Sequence, residues 1–414
     1  MQHNSKSALF YMPSFYGLCA FFGAFALYHV PLVAWDALSL EAYFIYFTVI
    51  LAFAVGTFVS FPQYAKFLES DTAGVIRDAR PRSVLFIYIC HAIGFFGLLW
   101  HLLELSKYFG SVPAFLLALV SESHLIRLSE VVTPGTQLTY FGWLGIWLSI
   151  LFTIKTQRTG RSFFWLLATV QLVGNLVYID RTRPLWLLFV TGILIMFLKR
   201  PSFSALVRYC FIAVAAIGSI FSLIAAWVGK VSEGADQYGD VLVDGPIKNI
   251  YLYVTGGFPY FSYELSIFQP GSYSLSQTFY PLAKILAQLG VVADPPSQIL
   301  TEYEVPFPTN VGTFLEPYLQ DGGIFYVFIG IAIHAFLLNK IGLYLLRQRS
   351  PAATIAWANL CFLNCISFFV PKIVSFPTWL FLIPALALAI VASISRSGSA
   401  GAQNELLDTE SPRI

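Results

Sequence analysis

Charged residues are scarce in this chain. Asp, Glu, Lys and Arg make up 11% of its 414 residues, whereas soluble globular domains carry about 25%. Hydrophobic residues account for 57% of the sequence, and the mean hydropathy is +0.71. This composition excludes a soluble fold, and we interpret the chain as an integral membrane protein.

Several functional signatures are also missing. Neither a Walker loop nor a dinucleotide-binding glycine motif occurs, so nothing indicates a nucleotide, and we predict no cofactor. All five cysteines fall within apolar runs, which gives no disulfide framework. Cys361 and Cys365 share a helix face, but no His or carboxylate lies near them in sequence. We therefore predict no metal site.

Long apolar runs recur along the chain. Crossing a hydrocarbon core of about 30 Å takes roughly 20 helical residues, and continuous apolar runs exclude the alternating pattern of a β-barrel. The sequence predicts an all-α polytopic membrane protein with about ten transmembrane helices, at residues 10–30, 42–61, 84–105, 138–156, 162–180, 184–199, 205–228, 322–346, 353–371 and 377–394.

The basic residues predict the orientation, because short loops rich in Lys and Arg stay cytoplasmic. One set of short connections holds thirteen of these residues and the opposite set holds five. Both termini are therefore predicted to be cytoplasmic.

Four regions follow from this topology. Residues 1–228 hold seven helices, with an external segment at 107–137; residues 229–320 form a large external loop; residues 321–396 hold three helices, and 397–414 form a cytoplasmic tail. The loop carries nine carboxylates against three lysines, which excludes nucleic acid as a partner. Within it, "YPLAKILAQLG" predicts a short amphipathic helix lying on the membrane.

The same loop is rich in aromatic residues, and two interpretations are open. The rings belong to an interfacial belt at headgroup depth, or they line a cleft that stacks on sugar faces. The residues assigned to the sugar side are Tyr251, Tyr253, Tyr260 and Tyr263.

A charged turn separates the fifth and sixth runs. Asp180, Arg181 and Arg183 lie on the external side, where a positive-inside bias selects against arginine. Guanidinium groups match phosphate oxygens, so one interpretation is a pyrophosphate site at the lipid boundary. The alternative is that the arginines reach lipid headgroups or pair with Asp180.

Three motifs resemble those of a known family. Arg181 and Gly192 form an Arg-x10-Gly motif in an external turn; "YLYVTGGFPYFSYEL" is similar to a Tyr-x(n)-Gly-x-Pro-Phe-like stretch; and "NVGTFLEPYLQDGGIFYVFIG" is similar to a Thr-x(n)-Tyr-x2-Asp-Phe-Gly-type junction, with Gly322 in place of the usual aromatic residue. Together with the topology they resemble the Wzy-type O-antigen polymerases, which polymerise oligosaccharide repeat units in the bacterial envelope.

The resemblance implies a GT-C-like membrane glycosyltransferase of the bacterial inner membrane, with a periplasmic active site. Donor and acceptor would both be repeat units linked to undecaprenyl pyrophosphate, embedded among membrane lipids. A separate chain-length regulator is implied as a partner.

The reaction also implies roles for particular residues. Arg181 and Arg183 would stabilise the leaving pyrophosphate, and Glu264, Glu316 or Asp321 would take the acceptor proton. Asp321 has an alternative role as a helix-terminal charge. Residues expected to bind substrate are Asp180, Arg127, Lys372, His101, Tyr251, Tyr253, Tyr260, Tyr263 and Tyr318.

Two rival functions remain open. An O-antigen ligase shares the lipid donor but resembles proteins with an external-loop histidine, and residues 229–320 contain none. A transporter or flippase for lipid-linked oligosaccharides would need polar residues along several helices, and the predicted helices are mostly apolar.

Overall fold

The computed structural model is mostly helical. It describes residues 5–70, 84–111, 113–114, 133–153, 161–175, 182–209, 211–212, 218–219, 246–269, 274–296, 301–305 and 308–391. The helical class predicted from the sequence is confirmed.

The N-terminal half begins with a 3-10 helix, Ser5–Tyr11. In the described residues it is followed by α1 (Pro13–Tyr28), α2 (Leu40–Ser70), α3 (Val84–Tyr108), α4 (Pro134–Thr153), α5 (Arg161–Asn175) and α6 (Thr182–Lys199).

The C-terminal half contains both short and long helices. They are α7 (Pro246–Thr255), α8 (Gly257–Ile267), α9 (Tyr280–Gln288), α10 (Glu316–Ala332), a π-helical segment (Ile333–Leu337), α11 (Leu338–Arg347), α12 (Pro351–Cys365), a 3-10 turn (Lys372–Val374) and α13 (Phe376–Val391). Two-residue strands, β1 (Tyr303–Glu304) and β2 (Pro308–Thr309), pair antiparallel with Tyr303 opposite Thr309.

Four helical stretches among the described residues are long and apolar enough to cross a membrane: Leu40–Ser70, Val84–Tyr108, Thr182–Lys199 and Glu316–Arg347. This is consistent with a multi-pass membrane protein. They match four of the ten predicted runs. The other six predicted runs are not established as spans. Helices α1, α5 and α13 are shorter apolar helices, and α12 is too short to count as a candidate span. Helix α4 is not among the four stretches, and most of residues 205–228 lies outside the described residues.

Two helices of the bundle, α3 and α4, approach each other through glycine. A Cβ on Gly97 would lie 2.7 Å from the carbonyl oxygen of Gly135, and one on Gly135 would lie 2.6 Å from that of Gly97. Small residues at such crossings let helix backbones pack closely inside a membrane. On the other side of α4, Trp143 contacts Trp186 of α6 at 5.7 Å between ring centroids.

The predicted external loop is not separate from the bundle. Phe258 and Phe261 of α8 are fully buried, and Phe258 contacts the ring of Tyr46 on α2 at 5.1 Å. Tyr46 also donates a hydrogen bond to the carbonyl oxygen of Phe258 (2.7 Å). Much of the aromatic run therefore belongs to the hydrophobic core rather than to an open surface.

Helix α10 is broken near its start. Gly323 has φ 68° and ψ −160°, a conformation essentially restricted to glycine. Beyond the break, Gly330 leaves room for the ring of Tyr318, which a Cβ there would contact. The segment Glu316–Asp321 thus folds back beside the rest of α10, and this brings the polar residues of the segment into the bundle.

Candidate functional site

The first polar cluster contains two buried carboxyl groups, Glu264 of α8 and Glu316 at the start of α10. The amide nitrogen Nε2 of Gln320 donates to Oε1 of Glu264 at 2.7 Å. Gln320 follows Glu316 by four residues on one helix face, so this bond links Glu264 to the helical turn that begins at Glu316. Their side chains interact electrostatically. Glu264 is 8% exposed and Glu316 is 0% exposed.

One carboxyl oxygen of Glu316 takes part in hydrogen bonding at the start of α10. The hydroxyl of Thr313 donates to Oε2 of Glu316 (3.0 Å), and the backbone N–H of Leu315 donates to that hydroxyl (3.1 Å). This Thr-x-x-Glu arrangement resembles a capping box at a helix start. The remaining oxygens, Oε1 of Glu316 and Oε2 of Glu264, are buried and have no hydrogen-bond partner among the described residues.

Burial decides the electrostatics of this pair. It raises the pKa of Glu264, and the hydrogen bond from Gln320 opposes that rise only partly. Burial also raises the pKa of Tyr260, and the nearby carboxylates of Glu264 and Glu316 raise it further. Tyr260 therefore stays a neutral hydroxyl, and it donates to the carbonyl oxygen of Thr301 (3.0 Å).

Asp321 lies next to this pair in sequence but makes different contacts. Its carboxylate accepts hydrogen bonds from the hydroxyl of Ser274 (2.7 Å), the N–H of Gln277 (3.0 Å) and the N–H of Thr278 (2.6 Å). These bonds attach the segment before α9 to the break in α10. The geometry supports an anchoring role for Asp321 rather than proton transfer.

Arg183 forms a second polar cluster in the first turn of α6. It is 7% exposed, and its guanidinium donates to the hydroxyls of Thr139 (3.2 Å) and Tyr140 (2.9 Å) on α4. The guanidinium carbon lies 4.8 Å from the ring centroid of Tyr140 and 5.9 Å from that of Trp143. These contacts fix the cation in one orientation.

His101 of α3 lies close enough to Arg183 to interact with it electrostatically. Its Nδ1 is 3.1 Å from the hydroxyl oxygen of Thr133 and 3.3 Å from that of Thr136, at the start of α4. Helices α3, α4 and α6 thus bring together Arg183, which was predicted to stabilise the leaving pyrophosphate, and His101, which was predicted to bind substrate.

Helix α12 connects the two clusters. Trp186, one turn after Arg183, donates to the side-chain oxygen of Asn359 (2.6 Å). Just after α12 ends, the carbonyl oxygen of Ser367 accepts from the N–H of Phe314, two residues before Glu316 (2.8 Å). A sequence neighbour of Arg183 therefore bonds to α12, and a sequence neighbour of Glu316 bonds to the turn that follows it.

The five tyrosines predicted to bind substrate differ in their surroundings. Tyr251 is buried and donates to the carbonyl oxygen of Val30 (2.7 Å). Tyr260 and Tyr318 are also buried, at 1% and 2% exposure. Tyr253 is half-buried against the ring of Phe369. Tyr263, 41% exposed, is the most accessible of the five.

Of the remaining predicted residues, the structure describes Lys372 only. Asp180, Arg181 and Arg127 lie outside the described residues. Lys372 begins the 3-10 turn after α12, where its carbonyl oxygen accepts from the hydroxyls of Ser375 (2.7 Å) and Thr378 (2.6 Å).

Several polar residues were missed in the sequence. Gln320 contacts Glu264, and only its i, i+4 spacing from Glu316 could have indicated it. His334, in the π segment, lies 2.7 Å through Nδ1 from Oδ1 of Asn364, whose amide donates to the carbonyl oxygen of His334 (3.0 Å). Within the part of the chain that the structure describes, no three His, Cys, Asp or Glu side chains are grouped to hold a metal ion.

Comparison with known proteins identifies no relative. No family model, no curated protein and no solved structure matches this chain. Its function must therefore be argued from the two clusters themselves.

Proposed function

We propose that this protein polymerises oligosaccharide repeat units carried on undecaprenyl pyrophosphate into a surface polysaccharide. The observation that carries the proposal is the buried pair Glu264 and Glu316 in an apolar helical bundle. Paired carboxyl groups are the usual means of moving protons in glycosyl-group chemistry. A lipid-linked donor suits a site that lies within such a bundle.

In the proposed reaction, the glycosidic bond to pyrophosphate breaks as the acceptor hydroxyl attacks the anomeric carbon. Negative charge develops on the leaving pyrophosphate, and a fixed cation stabilises that charge most in the transition state. Arg183 supplies such a cation, since the hydroxyls of Thr139 and Tyr140 hold its guanidinium. His101 lies close enough to Arg183 to interact with it electrostatically.

The acceptor hydroxyl must also lose its proton. The carboxyl pair provides a base, because one of its members can accept that proton while the other stays neutral. Glu264 is the more accessible member: its partner Gln320 is exposed, whereas Glu316 is fully enclosed. We assign Glu264 to the side from which the acceptor approaches.

The wider setting belongs to the same proposal. The fold would be GT-C-like with about ten spans, in a bacterial inner membrane, with both termini cytoplasmic and the two clusters at the periplasmic face. Donor and acceptor lipids would reach the site sideways from the bilayer, and a chain-length regulator would act as a partner.

Transport of lipid-linked oligosaccharides is the second candidate, and one observation favours it. The described helices contain buried polar groups: His334 with Asn364, and Asn339, whose amide contacts the hydroxyls of Ser14 (2.6 Å) and Ser60 (3.1 Å). Buried polar groups inside membrane spans often mark transport pathways.

A reconstituted assay separates these candidates. Purified protein in lipid vesicles receives undecaprenyl-pyrophosphate-linked repeat units from its own source, and the products are resolved by repeat number. Wild type should give a ladder, Glu316→Gln should lose it, and Glu302→Gln, which changes an exposed carboxylate, should keep it. Movement of the same lipids across the bilayer without any ladder would refute polymerisation and favour transport.

A further inference from the structure

Helix α9 leaves a strip of apolar side chains exposed. Spacings of three and four residues place Leu282, Ile285 and Leu289 on one side of the helix, and Leu289 is 71% exposed. Beyond Gly290, the backbone N–H of Val291 donates to the carbonyl oxygen of Leu286 (2.9 Å), which closes the helix. The exposed strip, which we call the apolar α9 face, consists of Leu282, Ile285, Leu289, Val291 and Val292.

The opposite side of α9 is polar. Lys284 lies across the helix from Leu282 and Leu289, since successive residues are about 100° apart. Its Nζ donates to both carboxylate oxygens of Asp294 at 2.7 Å. An exposed ion pair of this kind contributes little to stability, but it keeps the charges away from the apolar α9 face.

The length of α9 limits how it can meet a membrane. It has nine residues and so extends for about 13 Å, whereas crossing a hydrocarbon core takes about 30 Å. A short helix with one apolar and one polar side lies in the plane of the membrane surface, with its apolar side among the acyl chains next to the headgroups.

Contacts with α13 place α9 at the end of an apolar helix. The ring of Phe279, directly before α9, packs against Trp379 near the start of α13, at 5.4 Å between ring centroids. The indole N–H of Trp379 donates to the carbonyl oxygen of Ile373 (2.9 Å), and tryptophan is typical of the boundary between membrane and water. Farther along α13, Ile383 and Leu388 are exposed. The apolar α9 face therefore starts beside a helix whose exposed side is also apolar.

Hydrogen bonds to Asp321 hold the segment before α9 in place. The carboxylate of Asp321 accepts from Ser274, Gln277 and Thr278, and its carbonyl oxygen accepts from the N–H of Ser274 (2.8 Å). Because these bonds and the ring of Phe279 fix the start of α9, its apolar face is already oriented before it meets a partner. Such preorganisation lowers the cost of binding.

We propose that α9 is a lipid-docking helix, whose apolar face inserts among phospholipid acyl chains at the headgroup boundary beside α13. A bilayer fits this surface better than a second copy of the chain does. A standard protein–protein interface takes about 20–30 residues from each side, and the apolar α9 face has five.

Docking has a consequence for the candidate site. Asp321 joins the segment before α9 to the break in α10, so lipid contact at α9 holds the start of α10, with Glu316, near the headgroups. This consequence rests on the proposed function, in which the pyrophosphate of the lipid donor lies at the same level. The lipid contact itself does not depend on that function.

Photocrosslinking tests the lipid contact without any substrate. The photoreactive residue p-benzoylphenylalanine replaces Leu289, Ile285 or Lys284, one per protein, in the full-length chain in phosphatidylcholine vesicles. After irradiation, mass spectrometry measures the phospholipid adducts. We expect several times more adduct from positions 289 and 285 than from the control position 284, which is on the polar side. Phe58 of α2, 81% exposed in a candidate span, is replaced as the positive control.

Thermal unfolding verifies that each substituted protein is folded, and positions 289 and 285 test the face independently. Lipid adducts at position 58 but none at 289 and 285 would overturn the proposal. Equal adduct at 284 and 289 would also overturn it, because the contact would then not follow the apolar side. A covalent dimer formed through position 289 would assign the face to a second copy instead. Since no substrate is present, the result is independent of the polymerase assay.

Discussion

Removing the cation of Arg183 should abolish most activity while sparing the fold. Arg183→Met keeps much of the apolar volume but deletes the charge and the hydrogen bonds to Thr139 and Tyr140. Loss of one fixed electrostatic contact to a transition state typically costs about 2.7–4 kcal/mol, or roughly 10²–10³ in rate. We therefore expect the rate of repeat-unit addition to fall by roughly 10²–10³-fold.

Matched variants isolate the charge from the packing. Arg183→Lys keeps the charge but loses the planar fork, so we expect an intermediate loss, on the order of tenfold. Tyr140→Phe removes one hydroxyl partner and leaves the ring beneath the guanidinium, so its loss should be smaller. Lys199→Met, at the opposite end of α6, should retain wild-type activity.

The assay is the initial rate of repeat-unit addition, with unfolding temperature measured in parallel. A rate for Arg183→Met within twofold of wild type would refute the assignment of this residue to the leaving group. A lowered unfolding temperature in Arg183→Met alone, with activity restored by a stabilising lipid, would make Arg183 a structural residue.

Four further predictions concern stability. Gly97→Val should prevent stable folding, since its Cβ would lie 2.6 Å from Cβ of Leu138, whereas Gly192→Ala, with nothing within 4 Å, should leave the unfolding temperature unchanged. Gly323→Ala should cost about 1–3 kcal/mol because of its positive φ, and it should lower activity by displacing Glu316; unfolding and rate measurements check this. Asn339→Leu should lower the unfolding temperature more than Asn359→Leu, because Asn339 joins α1, α2 and α11. Finally, burial raises the pKa of Glu264, so the folded state binds this proton more tightly; stability should therefore fall as pH rises above the ordinary carboxyl range, and less steeply in Glu264→Gln.

The sequence predicted part of the candidate site. In the sequence, Glu264 lies in an aromatic run and Glu316 precedes a long apolar run. The contact between Gln320 and Glu264 depends on the backward fold of Glu316–Asp321 at Gly323, which no local pattern indicates. By sequence, Asp321 is an equally good candidate for the base, but its carboxylate accepts a hydrogen bond from the hydroxyl of Ser274. Which carboxyl is free depends on partners that are distant in the chain.

The aromatic loop illustrates the same limit. Composition alone cannot distinguish an open sugar cleft from a buried core, because both use Tyr and Phe. Tyr251 and Tyr260 donate hydrogen bonds to backbone carbonyls. These bonds depend on where the fold places the residues after α1 and Thr301.

By itself, the sequence determined that this protein is helical and apolar enough for a membrane, because run length and hydropathy are local properties that the bilayer selects. Tertiary structure decided which polar side chains meet. Gln320 joins Glu264 to the α10 start, and Arg183 reaches α4 and His101. The physical reason is that a buried polar group is satisfied by whichever donors or acceptors the fold brings to it, and in a helical bundle these come from helices far apart in the chain.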